Sequence, residues 1–299
     1  MPSRKISSFI NFAQFDRSKI RSFLQTAHSV SQNKLSFDGF GKTGAFLFFE
    51  PSTRTRMSFQ IAAHRLGIAT TLLEGKAGTS LEKGETVEDT VFNVAAMKPD
   101  FIVIRAGQDL ALEEIAQSLN LPVLNAGWGH RAHPTQALLD VMTIEKDFTS
   151  IENKKVLIVG DVKHSRVASS HLQLAQILGY EVAICGPEEF IEGVSAHHFA
   201  NLEDGLRWAD VVMALRVQSE RHSKEFALES YRAQFSLTEE KLKILKKDGL
   251  VLHPGPINFG VELERTVLKD PRNRILEQVS NGVHIRQSLI YHFLTSERP

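Results

Sequence analysis

The chain of 299 residues carries one cysteine, Cys185, and so cannot close a disulfide within itself. That fits a reducing compartment and excludes the disulfide-built frameworks of small secreted domains. It has no excess of either charge, since 35 Lys and Arg stand against 35 Asp and Glu. A neutral balance excludes the whole-chain attraction to nucleic acid or anionic membrane that a basic protein has. No charge-free apolar run approaches the roughly 18 residues of a spanning helix. The opening stretch, MPSRKISSFINFAQFD, lacks the apolar core and small-residue cleavage site of a signal peptide. The expectation is a cytoplasmic protein with no nucleic-acid partner and no membrane partner.

What is present is ordinary for a folded protein. Hydrophobic residues make up 42% and charged residues 23%, far from the regime of disorder. At roughly 100–200 residues per domain, the length implies about two domains. Short apolar runs at 45–49, 70–73, 101–104, 122–124, 156–159, 181–184, 211–215 and 249–252 read as strands. Helix-like stretches lie between them at 56–66, 85–97, 110–118, 135–146, 167–178 and 238–246. The alternation predicts an α/β fold, two doubly wound domains with mainly parallel sheets. Polar residues at 151–155 precede a fresh strand, which divides the chain into 1–150 and 151–283. The last helical pattern, 284–294, either continues the second domain or crosses back onto the first. The stretch 216–235 is the least regular and reads as a mobile loop.

The strongest local signal is FLFFEPSTRTRMSF at 46–59. A strand ends at Glu50, Pro51 breaks it, and Ser52, Thr53, Arg54 and Thr55 open an amphipathic helix. Hydroxyls and free N–H groups at a helix N-terminus make an anion site, to which Arg54 adds a bidentate fork. The same residues also suit an ordinary capped helix with two solvated arginines. Two rival phosphate motifs fail. Gly41-Lys42-Thr43 has Ser36 where a P-loop needs its first glycine, and Gly160-Asp161 lacks the other glycines of a dinucleotide fingerprint.

Other polar groups stand where strands end. Ser80 and Lys83 lie in AGTSLEKGETVEDT, a polar loop entering an acidic helix start. Arg105 ends the strand FIVIR, where ligands of parallel sheets gather, although a surface ion pair would also place an arginine there. In NAGWGHRAHPTQALLD, His133 and Gln136 offer neutral hydrogen bonds near a helix that Thr135 would cap. Metal binding by His130 and His133 finds no partner at useful spacing, and His197-His198 reads as an exposed loop pair. Arg166 and Arg216 each follow a strand of the second domain, with Gln218 two residues on, and could clamp a dianion. His253-Pro254-Gly255-Pro256 follows GLVLH as a stiff loop. Cys185 reads as packing. No nucleophile–base set and no carboxylate pair is evident, so the inventory suits transfer between two anionic substrates without a covalent enzyme intermediate.

In this order, Ser52-Thr53-Arg54-Thr55-Arg56, Lys83-Gly84-Glu85-Thr86, His133-Pro134-Thr135-Gln136, Gly160-Asp161 with Arg166, Arg216-Val217-Gln218 and His253-Pro254-Gly255-Pro256 resemble the aspartate/ornithine carbamoyltransferase family. The resemblance covers nearly the whole chain. Its RVQ and HPGP segments are similar to the aspartate branch; the SMG-type and HCLP markers of the ornithine branch are lacking. It implies a carbamoyl-phosphate domain at 1–150, an aspartate domain at 151–283, and a last helix, 284–299, packed back onto the first.

The resemblance also implies roles, position by position. Ser52, Thr53, Arg54 and Thr55 would bind phosphate, Arg105 would meet phosphate and carbonyl oxygen, and Thr55 and His133 would polarise that carbonyl. Gln136 and the backbone of Pro254 and Gly255 would hold the carbamoyl amino group. Arg166, Arg216 and Gln218 would bind aspartate. Ser80 and Lys83 would reach in from an adjacent subunit of a homotrimer with shared sites, Lys83 touching both substrates. The catalytic set is then Arg54, Thr55, Arg105, His133 and Lys83, with no metal or organic cofactor. A regulatory chain or a dihydroorotase is a possible further partner. Two places depart from common relatives, Ala106-Gly107 after Arg105 and Phe259 after Asn258, and neither receives a role. The readings left beside aspartate are a different amino-acid acceptor such as ornithine, or a silent assembly subunit.

Overall fold

A computed structural model describes residues 8–217 and 228–295. The chain forms two compact units, 1–139 with 279–299 and 140–278.

In the first unit, α1 (Arg17–Ser31) precedes β1 (Thr43–Phe48), α2 (Thr53–Arg65) and β2 (Ala69–Glu74). A 3-10 turn (Ser80–Lys83) leads to α3 (Val87–Ala96), β3 (Phe101–Ala106), α4 (Leu112–Ser118), β4 (Val123–Trp128) and α5 (Pro134–Phe148), whose residues from Asp140 on belong to the second unit. The strands form one parallel sheet in the order β2-β1-β3-β4. β3 and β4 are buried along their whole length, as strands covered on both faces must be. At the β4 edge, the Phe9 N–H donates to Val123 O at 2.8 Å, and the Asn125 N–H returns a bond to Phe9 O at 2.9 Å.

Helix α1 is an addition to the expected elements. Asp16 caps it by accepting from the Lys19 N–H at 2.8 Å, and Ile20, Phe23, Leu24, Ala27 and Val30 form its buried stripe. Its Phe23 meets Phe9, Phe15 and Phe293 in an aromatic cluster. Phe293 belongs to α11 (Ile275–Thr295), which starts earlier than the expected 284. Over its length from 279, α11 packs on the first unit. Ser288 Oγ donates to Phe23 O at 2.7 Å, His292 Nε2 lies 2.9 Å from Thr26 Oγ1, and Arg286 stacks on Phe59 of α2. A side chain at Gly282 would sit 2.5 Å from Arg286 Nη1 and 3.2 Å from a Leu139 methyl, so the glycine leaves room for the Arg286 guanidinium where it stands. The C-terminal helix returns to the first domain, as the resemblance implies.

The second unit contains β5 (Lys155–Val159), α6 (Arg166–Leu178), β6 (Glu181–Cys185), α7 (Glu188–Ile191), β7 (His197–Phe199), α8 (Leu202–Trp208) and β8 (Val211–Ala214). It continues with α9 (Leu228–Phe235), α10 (Glu239–Leu242) and β9 (Leu250–Leu252). Its parallel sheet has the order β7-β6-β5-β8-β9. Leu157, Val159, Val212 and Val251 join Phe190, Leu206 and Phe235 in its core.

Three expectations are corrected here. Residues 228–235 are helical, because Tyr231 and Phe235 pack into the core; the rest of the expected loop from 218 lies outside the described residues. The helix expected over 238–246 stops at Leu242, where turns to Ile244 and Leu245 take over. His197 and His198 are exposed but lie in edge strand β7, with His197 stacked edge-on against Phe199. Among the described residues, no helix is long and apolar enough to cross a membrane.

Candidate active site

A parallel sheet opens a crevice where its strand order reverses, beyond the carboxyl ends of the strands. In the first unit the reversal lies between β1 and β3, where Phe48 stands in register with Arg105. The residues after Phe48 therefore meet Arg105 at the sheet edge. Arg105 is buried, donates from Nη1 to Ala126 O at 3.2 Å, and has Nε 3.7 Å from the Glu50 carboxylate. Those contacts tie its guanidinium to the ends of β1 and β4.

Ser52 has the extended backbone of an N-cap, yet its hydroxyl makes no capping bond. The first turn of α2 holds no acidic residue, so its N–H groups and positive dipole end are left for an anion. Thr55 is buried and Arg54 is exposed. Although exposed, Arg54 has neighbours that desolvate its guanidinium and lower its pKa from the usual value, and it stays a cation at neutral pH. Arg56 is half-buried and paired with Glu74, so the picture of two solvated arginines does not hold.

Within β4, the Asn125 side chain accepts from the Gly127 N–H at 2.7 Å and donates to Ile10 O at 2.7 Å. At Gly129, with φ at +46°, an added Cβ would lie 2.6 Å from the Gln108 nitrogen. His133, and not Thr135, takes the capping place of α5: its carbonyl accepts from Gln136 and Ala137. Thr135 lies inside the helix, 3.3 Å from Arg286 Nη2. His133 and Gln136 are both buried at this end of α5.

Ser80 and Lys83 stand apart from that group. Both are exposed on the 3-10 turn after edge strand β2, closed by Gly84 at φ +96°. Among the described residues, neither side chain makes a hydrogen bond or ion pair.

In the second unit the reversal lies between β5 and β8. Arg166 opens α6 just after β5, with Ser165 Oγ capping the Ala168 N–H at 3.2 Å. Arg216 follows β8, and both arginines are half-buried. The crevice narrows at Gly160, whose φ is +115°; a Cβ there would lie 3.0 Å from the Tyr231 hydroxyl and 3.1 Å from Leu215 O. Gln218 lies outside the described residues.

Pro254 and Gly255 follow β9 in a tightly determined loop. His253 Nδ1 accepts from the Gly255 N–H at 2.8 Å, so its Nε2 carries the proton toward Glu262 Oε1 at 3.2 Å. Glu262 Oε1 also accepts from the Asn258 N–H at 2.6 Å, and Asn258 Nδ2 donates to Val217 O at 3.1 Å, beside Arg216. Glu262 and Asn258 are additions to the sequence-based set; a buried acid a few residues beyond HPGP in an otherwise apolar stretch is the signal that points to them. Phe259 is stacked under Arg265, 4.2 Å from its ring centre. Cys185 is buried, and its thiol is pushed up to about 12, chiefly by desolvation and then by Glu203, which suits packing and not attack.

The first unit thus offers a helix mouth, hydroxyls and cations suited to a tetrahedral oxyanion. The second offers two guanidinium groups, one at the start of the helix after β5 and one just after the neighbouring strand β8, suited to carboxylates. Residues 7–146 match the aspartate/ornithine carbamoyltransferase carbamoyl-P binding domain, and residues 152–293 match the family's Asp/Orn binding domain. The aspartate carbamoyltransferase catalytic subunit of Syntrophotalea carbinolica is 44% identical over 84% of this chain and 82% of its own length. That of Koribacter versatilis is 39% identical over 98% and 99%. Among solved structures, aspartate transcarbamoylase of Trypanosoma cruzi in complex with N-(phosphonacetyl)-L-aspartic acid superposes with a TM-score of 0.83 and 29% identity, covering 96% of this chain and 95% of that one. Ornithine carbamoyltransferase of Thermus thermophilus gives 0.84 and 25%, covering 95% and 98%.

Proposed function

The chain belongs to the aspartate/ornithine carbamoyltransferase family, and from that premise we propose that it transfers the carbamoyl group of carbamoyl phosphate to the α-amine of L-aspartate. The products are N-carbamoyl-L-aspartate and phosphate, a step of pyrimidine synthesis. The observation that carries the acceptor is the pair Arg166, opening the helix after β5, and Arg216, after the adjacent strand β8, a pair that suits two carboxylates.

Ser52, Thr53, Arg54 and Thr55 bind the phosphate in this reading, and Arg105 spans phosphate and carbonyl oxygen. Thr55 and His133 donate to that oxygen as negative charge develops. Gln136 and the backbone at Pro254 and Gly255 hold the carbamoyl amino group, while Arg166, Arg216 and Gln218 hold aspartate. The uncharged amine attacks the carbonyl carbon, a C–N bond forms, and the C–O bond to phosphate breaks with its electron pair on oxygen. The departing phosphate takes the amine proton. Positioning and fixed charge supply the rate enhancement.

The exposed position of Ser80 and Lys83 supports a site completed by a neighbouring copy, in a cytoplasmic homotrimer. Met57 and Ile61 of α2 and Leu72 of edge strand β2 are exposed apolar side chains that such a neighbour would cover. The purified chain should form N-carbamoyl-L-aspartate with aspartate as acceptor; citrulline from ornithine as the dominant product would overturn the assignment. Mixed trimers of Lys83→Ala and Arg54→Ala chains should regain activity that neither has alone. No recovery in verified mixed trimers would refute shared sites.

A further inference from the structure

Behind the 253–256 loop runs a chain of buried polar groups that the proposed reaction does not use. The His253 N–H donates to Gln278 Oε1 at 2.9 Å. Gln278 Nε2 donates to Asp140 Oδ1 at 2.7 Å. Asp140 Oδ2 lies 3.0 Å from His171 Nε2, and His171 Nδ1 lies 2.9 Å from the Tyr180 hydroxyl. His253, Gln278, Asp140, His171 and Tyr180 are all buried. They come from four elements of the second unit and its α6–β6 turn: the end of β9, the start of α11, the part of α5 beyond residue 139, and α6.

Counting donors fixes the orientation of the Gln278 amide. A carboxylate only accepts, so both the Gln278 amide and the His171 Nε2–H must point at Asp140. That turns the Gln278 oxygen toward His253 and nowhere else. The Tyr180 hydroxyl, 2.9 Å from His171 Nδ1, donates to His171 O at 3.1 Å and closes the far end of the chain. An apolar cluster would fill the same volume without desolvating a carboxylate. What the polar chain adds is a defined direction for one main-chain N–H, immediately before Pro254.

We infer that Gln278, oriented by Asp140 and His171, is a positioning residue that sets the backbone of Pro254 and Gly255 against the carbamoyl amino group. The inference rests on the role proposed above for those two backbone positions. Two holds then act on the loop. Glu262 and Gly255 fix the His253 ring, and Gln278 fixes its main chain. With both in place, φ/ψ freedom at 254 and 255 is small before substrate arrives, which is where positioning gains its rate advantage.

The test is steady-state kinetics on the full chain with Gln278→Met, which keeps volume and helix propensity but removes donor and acceptor. We expect kcat to fall about tenfold or more, with the KM for aspartate changed by less than about twofold. Asp140→Asn is the conservative variant: its amide still accepts from Gln278, and His171 satisfies the new donor by changing tautomer. Its kcat should stay within about threefold of the parent. A folded Gln278→Met enzyme with parental kcat, or an Asp140→Asn enzyme as impaired as Gln278→Met, overturns the inference.

Hydrogen exchange on the unaltered protein reads the same claim without any variant. The His253 and Gly255 amides should exchange in step with those of Val251 and Leu252 in β9. Exchange orders of magnitude faster would show an unpinned loop and refute the role. An unaltered chain that transfers no carbamoyl group to any amine would instead refute the proposed function, while its exchange rates would still decide whether the loop is held.

Discussion

Both units place cationic side chains beyond the carboxyl ends of parallel strands, at the point where strand order reverses, yet they build those sites differently. The first unit uses neighbours in sequence: Ser52, Thr53, Arg54 and Thr55 form one helix mouth, with Arg105 beside it. The second draws Arg166 and Arg216 from separate strand ends and backs the loop after β9 with hydrogen bonds from distant elements. The contrast fits the two anions of the proposed reaction. A tetrahedral phosphate presents several oxygens to one point, which consecutive N–H and hydroxyl groups can surround. Two carboxylates on one small molecule lie apart and require two separated forks.

The largest effect should come from the buried cation of the first unit. Arg105→Ala removes a charge-assisted donor and leaves the Glu50 carboxylate facing the proposed phosphate site. A loss near 3 kcal/mol, about a hundredfold in kcat/KM for carbamoyl phosphate, is expected in steady-state assays. Arg216→Ala in the second unit should cost about 1.5–3 kcal/mol, read mainly as a raised KM for aspartate. If both substitutions raise the same substrate's KM, the division of labour between the units is wrong.

Two glycines of positive φ, one in each unit, compare crowded with open backbone. Gly160→Ala forces a side chain onto φ +115° with Leu215 O at 3.1 Å, a main-chain neighbour that cannot swing away. About 1–3 kcal/mol of stability should be lost in denaturant titrations. Gly75→Ala in the first unit has φ +69° but open space around it, and should cost about 1 kcal/mol. Equal losses would mean that crowding at the β5–β8 crevice contributes nothing.

The same contrast governs what can be read from the sequence. The 52–55 mouth is legible because its chemistry is contiguous, and the strand ends are legible because apolar runs stop at charged residues. Helix α1 carries its signal openly, an Asp cap and apolar residues at 20, 23, 24, 27 and 30, but it lies before the strand–helix alternation that organises the rest of the chain. The Gln278 hold on His253 spans 25 residues and its bond to Asp140 spans 138. No local spacing can announce such pairs, since burial alone makes them partners. For the same reason, the end of α10 depends on packing around Leu245 and not on any breaker residue near 243.

Opposite pH dependences would sharpen the comparison further. In the first unit, burial and then the Lys19 charge depress His292 to about 4 from an ordinary 6.5. Between those values the unfolded chain binds a proton that the folded one refuses. His292 therefore contributes stability that is fully present above about 6.5 and is lost as pH falls toward 4. Allowing for partial exposure, the loss is on the order of 1–2 kcal/mol. In the second unit the Cys185 thiol is raised from 9.0 to about 12, so its stability is fully present below 9.0 and is lost as pH rises through 12. One tryptophan reports on each unit, Trp128 in the first and Trp208 in the second. Thermal melts of the two single-tryptophan proteins should show acid sensitivity first at Trp128 and alkaline sensitivity first at Trp208. His292→Gln should flatten the acid limb at Trp128 and leave the alkaline limb at Trp208 in place; an unchanged acid limb would remove His292 as its source.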